Sequence, residues 1–304
     1  MTRPDDSTLS PQEYARVRKE AERLLRAAGA LGRFPTPVAV IMDAGKVTLA
    51  QEDVLNEGFL HSMRRKASGA LKSALSKVLG LFDARERLVF IARAVETAKQ
   101  VFLKLHETAH AVLPWQRNLY AVVEDGEQEL DPDIADLFDR EANVFATEEL
   151  FQLDSVADDA AAHEFGIEVA LKLRRKYGSS AYAALRQYVS KNHRDCVVLV
   201  LDPPAVADGD GFRATLRRAV ASPSFSMKFD LNWPPHFTPA DEVGAMVPLG
   251  HRRMSRARTI TLVDRNGVRH DCVAEAFKTP YQVFVLLHSA RTLTRTTIVM
   301  PATV

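Results

Sequence analysis

The chain has 304 residues, 46% of them hydrophobic and 26% charged. That is the balance of a globular protein with a core, and it excludes a disordered, collagen-like or coiled-coil chain. Lys and Arg number 40 against 39 Asp and Glu, so no net charge draws the whole surface to nucleic acid. Cys196 and Cys272 are the only cysteines; they read as buried thiols in a reducing compartment rather than a disulfide framework. The first residues, Met1-Thr2-Arg3-Pro4-Asp5-Asp6, carry no apolar signal region. No run approaches the roughly 18 apolar residues of a membrane span. A cytoplasmic protein without membrane contact is expected.

Ser10-Pro11 with Glu13 predicts a helix over 11–30, because Pro suits a first turn and Ser and Glu cap it. Its apolar residues Tyr14, Val17, Ala21, Leu24, Leu25 and Ala28 recur at helical spacing. Pro37 allows a short helix from Val38. A polar-apolar helix is predicted over 53–79, where Arg64, Arg65, Lys66, Lys72 and Lys77 read as a solvated face. Leu81-Phe82-Asp83 and Leu88-Val89-Phe90-Ile91 predict two short strands joined by a charged turn. A helix follows over 94–112 and is stopped by Pro114. Tyr120-Ala121-Val122-Val123 reads as another strand. A helix over 133–152 carries Phe138, Ala142, Phe145 and Leu150 as its apolar stripe. Two more helices are predicted within 156–194, split near Gly178. The apolar run 196–201 predicts a buried strand, followed by strands at 259–263, 268–274, 283–287 and 296–300.

One motif carries chemistry. His106-Glu107-Thr108-Ala109-His110 is HExxH on a segment that independently reads as helix. At about 100° per residue, positions i and i+4 lie about 40° apart around the axis, so both imidazoles project from one face. Two neutral imidazoles on one face suit a shared zinc ion. Glu107, beside them, is placed to take a proton from an acidified water. A third ligand must come from another element. The helix at 133–152 offers Asp139 and Glu141, which lie about 160° apart around the axis and so do not both face one ion. Spacing inclines only slightly to Asp139, since Glu141 shares its side with Glu148, a pairing that reads as solvent-facing.

Two stretches together resemble the ImmA/IrrE family of metallo-endopeptidases. The first is His106-Glu107-Thr108-Ala109-His110-Ala111-Val112-Leu113-Pro114-Trp115. The second is Asp139-Arg140-Glu141-Ala142-Asn143-Val144-Phe145-Ala146-Thr147-Glu148-Glu149-Leu150. The family pairs HExxH with a downstream helix of the form E-x-E-A-N-x-F-A-x-x-L-L, and 28 residues separate the two motifs here. The resemblance spans roughly 20–155. It implies a metal held by His106, His110 and Asp139, with Glu107 as catalytic base and Asn143 in support. Asp139 stands where the family has Glu, one methylene longer, and Glu141 remains the alternative ligand. Glu149 stands at a usually apolar position near the helix end, where fraying would let it reach water.

The fold so implied is α+β: a zincin-like peptidase domain over 1–155 with a small antiparallel sheet and an active-site helix, a helical segment over 156–195 similar to a helix-turn-helix, and a β-rich regulatory or substrate-docking domain over 196–304. The implied activity is metal-dependent cleavage of a regulatory protein, a helix-turn-helix repressor, in a stress response or a mobile element. The metal is zinc, with manganese also suited to two His and a carboxylate. The alternative is a non-proteolytic, antitoxin-like regulator that binds DNA or a partner on the same fold. Arg174, Arg175, Arg186 and Lys191 leave direct nucleic-acid binding open. Arg252-Arg253-Met254-Ser255-Arg256-Ala257-Arg258 reads as a solvated loop. Ser222, Ser224 and Ser226 read as a loop without a base, Trp115 and Trp233 as packing anchors, and Tyr120 as a core residue.

Overall fold

The computed structural model describes residues 7–50, 80–83, 87–91, 95–125, 131–207, 209 and 211–290. The basic helix expected over 53–79 and the strand expected at 296–300 lie outside them. The protein is α+β. Its chain divides into two compact units, Asp5–Glu164 with Val169–Ala184, and Phe165–Glu168 with Leu185–Val304 and Met1–Pro4.

The first unit opens with α1 (Pro11–Ala27). Its start is set by a capping box: Glu13 N–H donates to Ser10 Oγ, and the Ser10 N–H donates to Glu13 Oε2 at 2.8 Å, satisfying amides the helix itself leaves bare. Val17, Ala21, Leu24 and Leu25 form its buried face. After α2 (Val38–Ala44) comes a three-stranded sheet of β1 (Thr48–Leu49), β2 (Gly80–Asp83) and β3 (Leu88–Ile91) in the order β1-β3-β2. The two strands read from sequence pair antiparallel, with Leu81 opposite Phe90 and Phe82 opposite Val89. The sheet is mixed rather than antiparallel throughout, because β1 runs parallel to β3.

The HExxH helix is α3 (Thr97–Val112), and α4 (Pro114–Asp125) begins directly after it. Tyr120–Val123 therefore lie in a helix and not in a strand. Pro114 both ends α3 and starts α4, since a missing N–H costs nothing in a first turn, and the helix then overrides the β preference of a short Tyr-Val-Val run. The second motif lies on α5 (Pro132–Leu150), capped by Asp131, whose side chain accepts from the Asp133 N–H at 2.9 Å. α5 packs against both α3 and α1. Three helices rather than two occupy 156–194: α6 (Ser155–Ala161), α7 (Ile167–Tyr177) and α8 (Ala181–Ser190).

The second unit is built on an antiparallel sheet in the order β5-β6-β4-β10-β9-β8, with β7 pairing β6. Its strands are β4 (Cys196–Leu201), β5 (Ala205–Ala207), β6 (Gly211–Ala221), β7 (His236–Phe237), β8 (Arg258–Val263), β9 (Arg269–Lys278) and β10 (Val283–Ser289). Every residue of β4 is buried, which accounts for its unbroken apolar run. Val197, Leu199 and Leu201 meet Val283, Val285 and Leu287 in a core closed by Phe225, Phe229 and Phe237. Ser222 is not in a loop. It caps α9 (Pro223–Lys228), its side chain accepting from the Phe225 N–H. Both cysteines are buried and free, and burial raises their pKa to about 12 for Cys196 and about 11 for Cys272. Among the described residues no helix is long and apolar enough to cross a membrane.

Candidate metal centre

The C-terminal half of α3 is buried all round: Leu105, Thr108, Ala109, Ala111 and Val112 flank His106, Glu107 and His110. The two imidazoles lie one turn apart with ring centroids 5.1 Å from each other. From α5, Asp139 brings its Oδ1 to 3.3 Å from His106 Nε2, although its side chain is 62% exposed. Asn143, one turn further along, brings its Oδ1 to 3.1 Å from His106 Nδ1. Gln116 on α4 places its Oε1 2.7 Å from His110 Nδ1. The four residues expected at the site, His106, Glu107, His110 and Asp139, are thus on facing helices. Among the described residues, however, no three His, Cys, Asp or Glu side chains close into a group that holds a metal ion as they stand.

Burial sets the electrostatics. It lowers the His110 pKa to about 4, helped by the charge of His106, and keeps that imidazole neutral. At His106 burial opposes protonation, but the Asp139 hydrogen bond and the charges of Glu107 and Asp139 outweigh it and lift the pKa. Burial raises Glu107 to about 7 against the opposing pull of His106, the range in which a general base works best at neutral pH.

Glu141 is not at the surface. It is fully buried and engaged on its other side. Its Oε1 accepts from Arg16 at 2.6 Å, and its Oε2 accepts from Trp115 Nε1 and Gln116 Nε2, both at 2.7 Å. Glu148 is buried too, accepting from Tyr14 Oη at 2.5 Å and Arg18 at 3.1 Å. The solvent reading of that face fails because α1 covers it with Tyr14, Arg16 and Arg18. Trp115 is partly buried, with the Arg16 guanidinium 3.8 Å above its ring. The Tyr120 side chain lies outside the described residues.

Glu149 differs most from expectation. It does not fray into water: it is fully buried, neither carboxyl oxygen finds a hydrogen-bond partner among the described residues, and burial raises its pKa well above the usual value. It continues the buried stripe of Phe138, Ala142 and Phe145. Because its folded pKa lies above the unfolded one, its contribution to stability falls as pH rises above about 4.3. Glu149→Met should therefore stabilise the protein by about 1–3 kcal/mol, the cost of an unsatisfied buried polar group. The gain should be larger at pH 8 than at pH 5 in urea unfolding. A less stable variant would show that the carboxyl is satisfied.

No protein-family model matches the chain, and no curated protein matches it. Among solved structures it is similar to a Mycobacterium tuberculosis transcriptional regulator. The TM-score is 0.51 at 13% identity, covering 90% of this chain and 87% of that one. That likeness concerns the fold.

Proposed function

We propose that this chain is a metal-dependent endopeptidase with a zincin-like first unit, cleaving a regulatory protein of the helix-turn-helix repressor kind. The observation that carries the reading is the meeting of His106 and Asp139 from two helices beside a buried Glu107. The side chains present fit a divalent cation. The 3.3 Å between His106 Nε2 and Asp139 Oδ1 is at the long end of hydrogen-bond distances. It matches the roughly 3.3 Å between two donors that each stand about 2.0–2.1 Å from a shared tetrahedral ion. A ligand imidazole must be neutral: burial keeps His110 so, and His106, whose pKa is raised, would release its proton to the ion. His106, His110 and Asp139 would hold the ion, zinc by ligand type, with manganese also suited. When bound there it supplies acidification of water and polarisation of a peptide carbonyl.

The chain's own residues do the rest. The carboxylate of Glu107 takes a proton from the attacking water and returns it to the leaving amine as the C–N bond breaks. The buried walls of α3 keep bulk water from competing for that proton. The β-rich unit serves to recognise or dock the substrate. The test is incubation of the zinc- or manganese-loaded protein with helix-turn-helix repressors encoded beside its gene, read by mass spectrometry. A single cut that chelator abolishes supports the reading; intact repressors with full metal loading count against the assigned substrate.

A second reading, a regulator that binds DNA or a partner without proteolysis, is favoured by the name of the fold neighbour and by the unclosed ligand set. Binding to operator DNA in a gel shift, undiminished by chelator, would support it over the peptidase.

A further inference from the structure

We infer that Glu141 and Gln116 are positioning residues that decide which nitrogen of His110 carries its lone pair, and that Arg16 and Trp115 anchor them. The inference deepens the proposed metal site and rests on it for its consequence, but its geometry stands apart from any ion. Gln116 Nε2 faces two groups that only accept, the Glu141 carboxylate at 2.7 Å and the Phe138 carbonyl at 3.2 Å. An amide NH2 has two hydrogens to give, and both are used there. The other end of the amide, Oε1, is thereby turned to His110 Nδ1 at 2.7 Å. An acceptor at that position requires Nδ1 to donate. His110 then carries its hydrogen on Nδ1 and its lone pair on Nε2. The orientation of Gln116 follows from its partners, and the tautomer follows from Gln116.

Glu141 holds the far end of this chain firmly. It is fully buried and accepts from three donors, Arg16, Trp115 and Gln116. Two of these come from the start of α4 and one from α1, so the packing of α1 on α5 is wired to the HExxH helix. Outer partners of a metal-bound histidine commonly set its tautomer and ring orientation, and losing one typically weakens metal binding about 10–100-fold.

The experiment uses the full chain in two states. Without metal, nitrogen-15 NMR of the histidine rings reads the His110 tautomer directly. With zinc alone as the probe, titration reads affinity. The wild type should show His110 with hydrogen on Nδ1. Gln116→Met, similar in volume but without polar atoms, should release that tautomer and weaken zinc about 10–100-fold. Glu141→Met should do the same. Glu141→Gln should rescue both readouts: its carbonyl oxygen can keep the Trp115 and Gln116 hydrogens, while half-exposed Arg16 turns to water. Should Glu141→Met fail to fold, Gln116→Met and Glu141→Gln carry the comparison. A tautomer unchanged in Gln116→Met would overturn the inference, whatever the zinc result. A tautomer that shifts in a protein whose wild type takes up no zinc would uphold the positioning chain and sink the metal reading instead.

Discussion

Glu107→Gln is expected to take up zinc as the wild type does and to cut its protein substrate about 10²–10⁴-fold more slowly, the usual worth of a positioned general base. The amide keeps the shape of the carboxyl and lies on a helix that remains buried, so fold and ligand set should persist. What is lost is the one carboxylate that α3 itself contributes beside its two imidazoles. Glu107 is raised to about 7 by burial, so it exchanges protons readily near neutrality. Thermal unfolding and zinc titration establish that the variant is otherwise intact, and cleavage is followed by mass spectrometry. Cleavage at the wild-type rate would remove Glu107 from the chemistry.

The second large effect separates ligands from their supports. His110→Ala and Asp139→Ala each delete one of three proposed donors and should abolish stoichiometric zinc. Glu141→Ala should still reach about one zinc per chain at saturating metal, with weaker affinity, because it removes an orienting group and no donor. The distinction follows from where the two acids point. Asp139 reaches His106, while Glu141 is enclosed by Arg16, Trp115 and Gln116. Loss of stoichiometry in Glu141→Ala with retention in Asp139→Ala would reverse the assignment.

Much of this is legible in the sequence, and most of what is not depends on distant elements. The Ser10 to Glu13 spacing sets the start of α1, and the unbroken apolar run 196–201 is a strand buried on both faces. HExxH places two imidazoles on one helix face by spacing alone. Local pattern failed wherever a distant element decided the outcome. Glu141 and Glu148 look solvent-facing until Tyr14, Arg16 and Arg18 arrive from more than a hundred positions away in sequence. Gln116 carries no signal as the partner of His110, because the contact depends on α4 turning directly out of α3. β6 carries no strong apolar signal although Phe212, Ala214 and Leu216 alternate inward with exposed neighbours, because Arg213, Arg217 and Arg218 dilute its period-2 pattern. Glu149 is a further case. An acid in a core stripe is read as surface, yet here it is buried without a partner among the described residues.

The most direct test of the account is the metal content of the wild-type chain. Purified protein reconstituted with zinc or manganese, then freed of excess ion, is analysed by elemental mass spectrometry. The peptidase reading requires about one ion per chain. No retained metal under either condition would contradict it and leave the binding-only regulator as the better account of this fold.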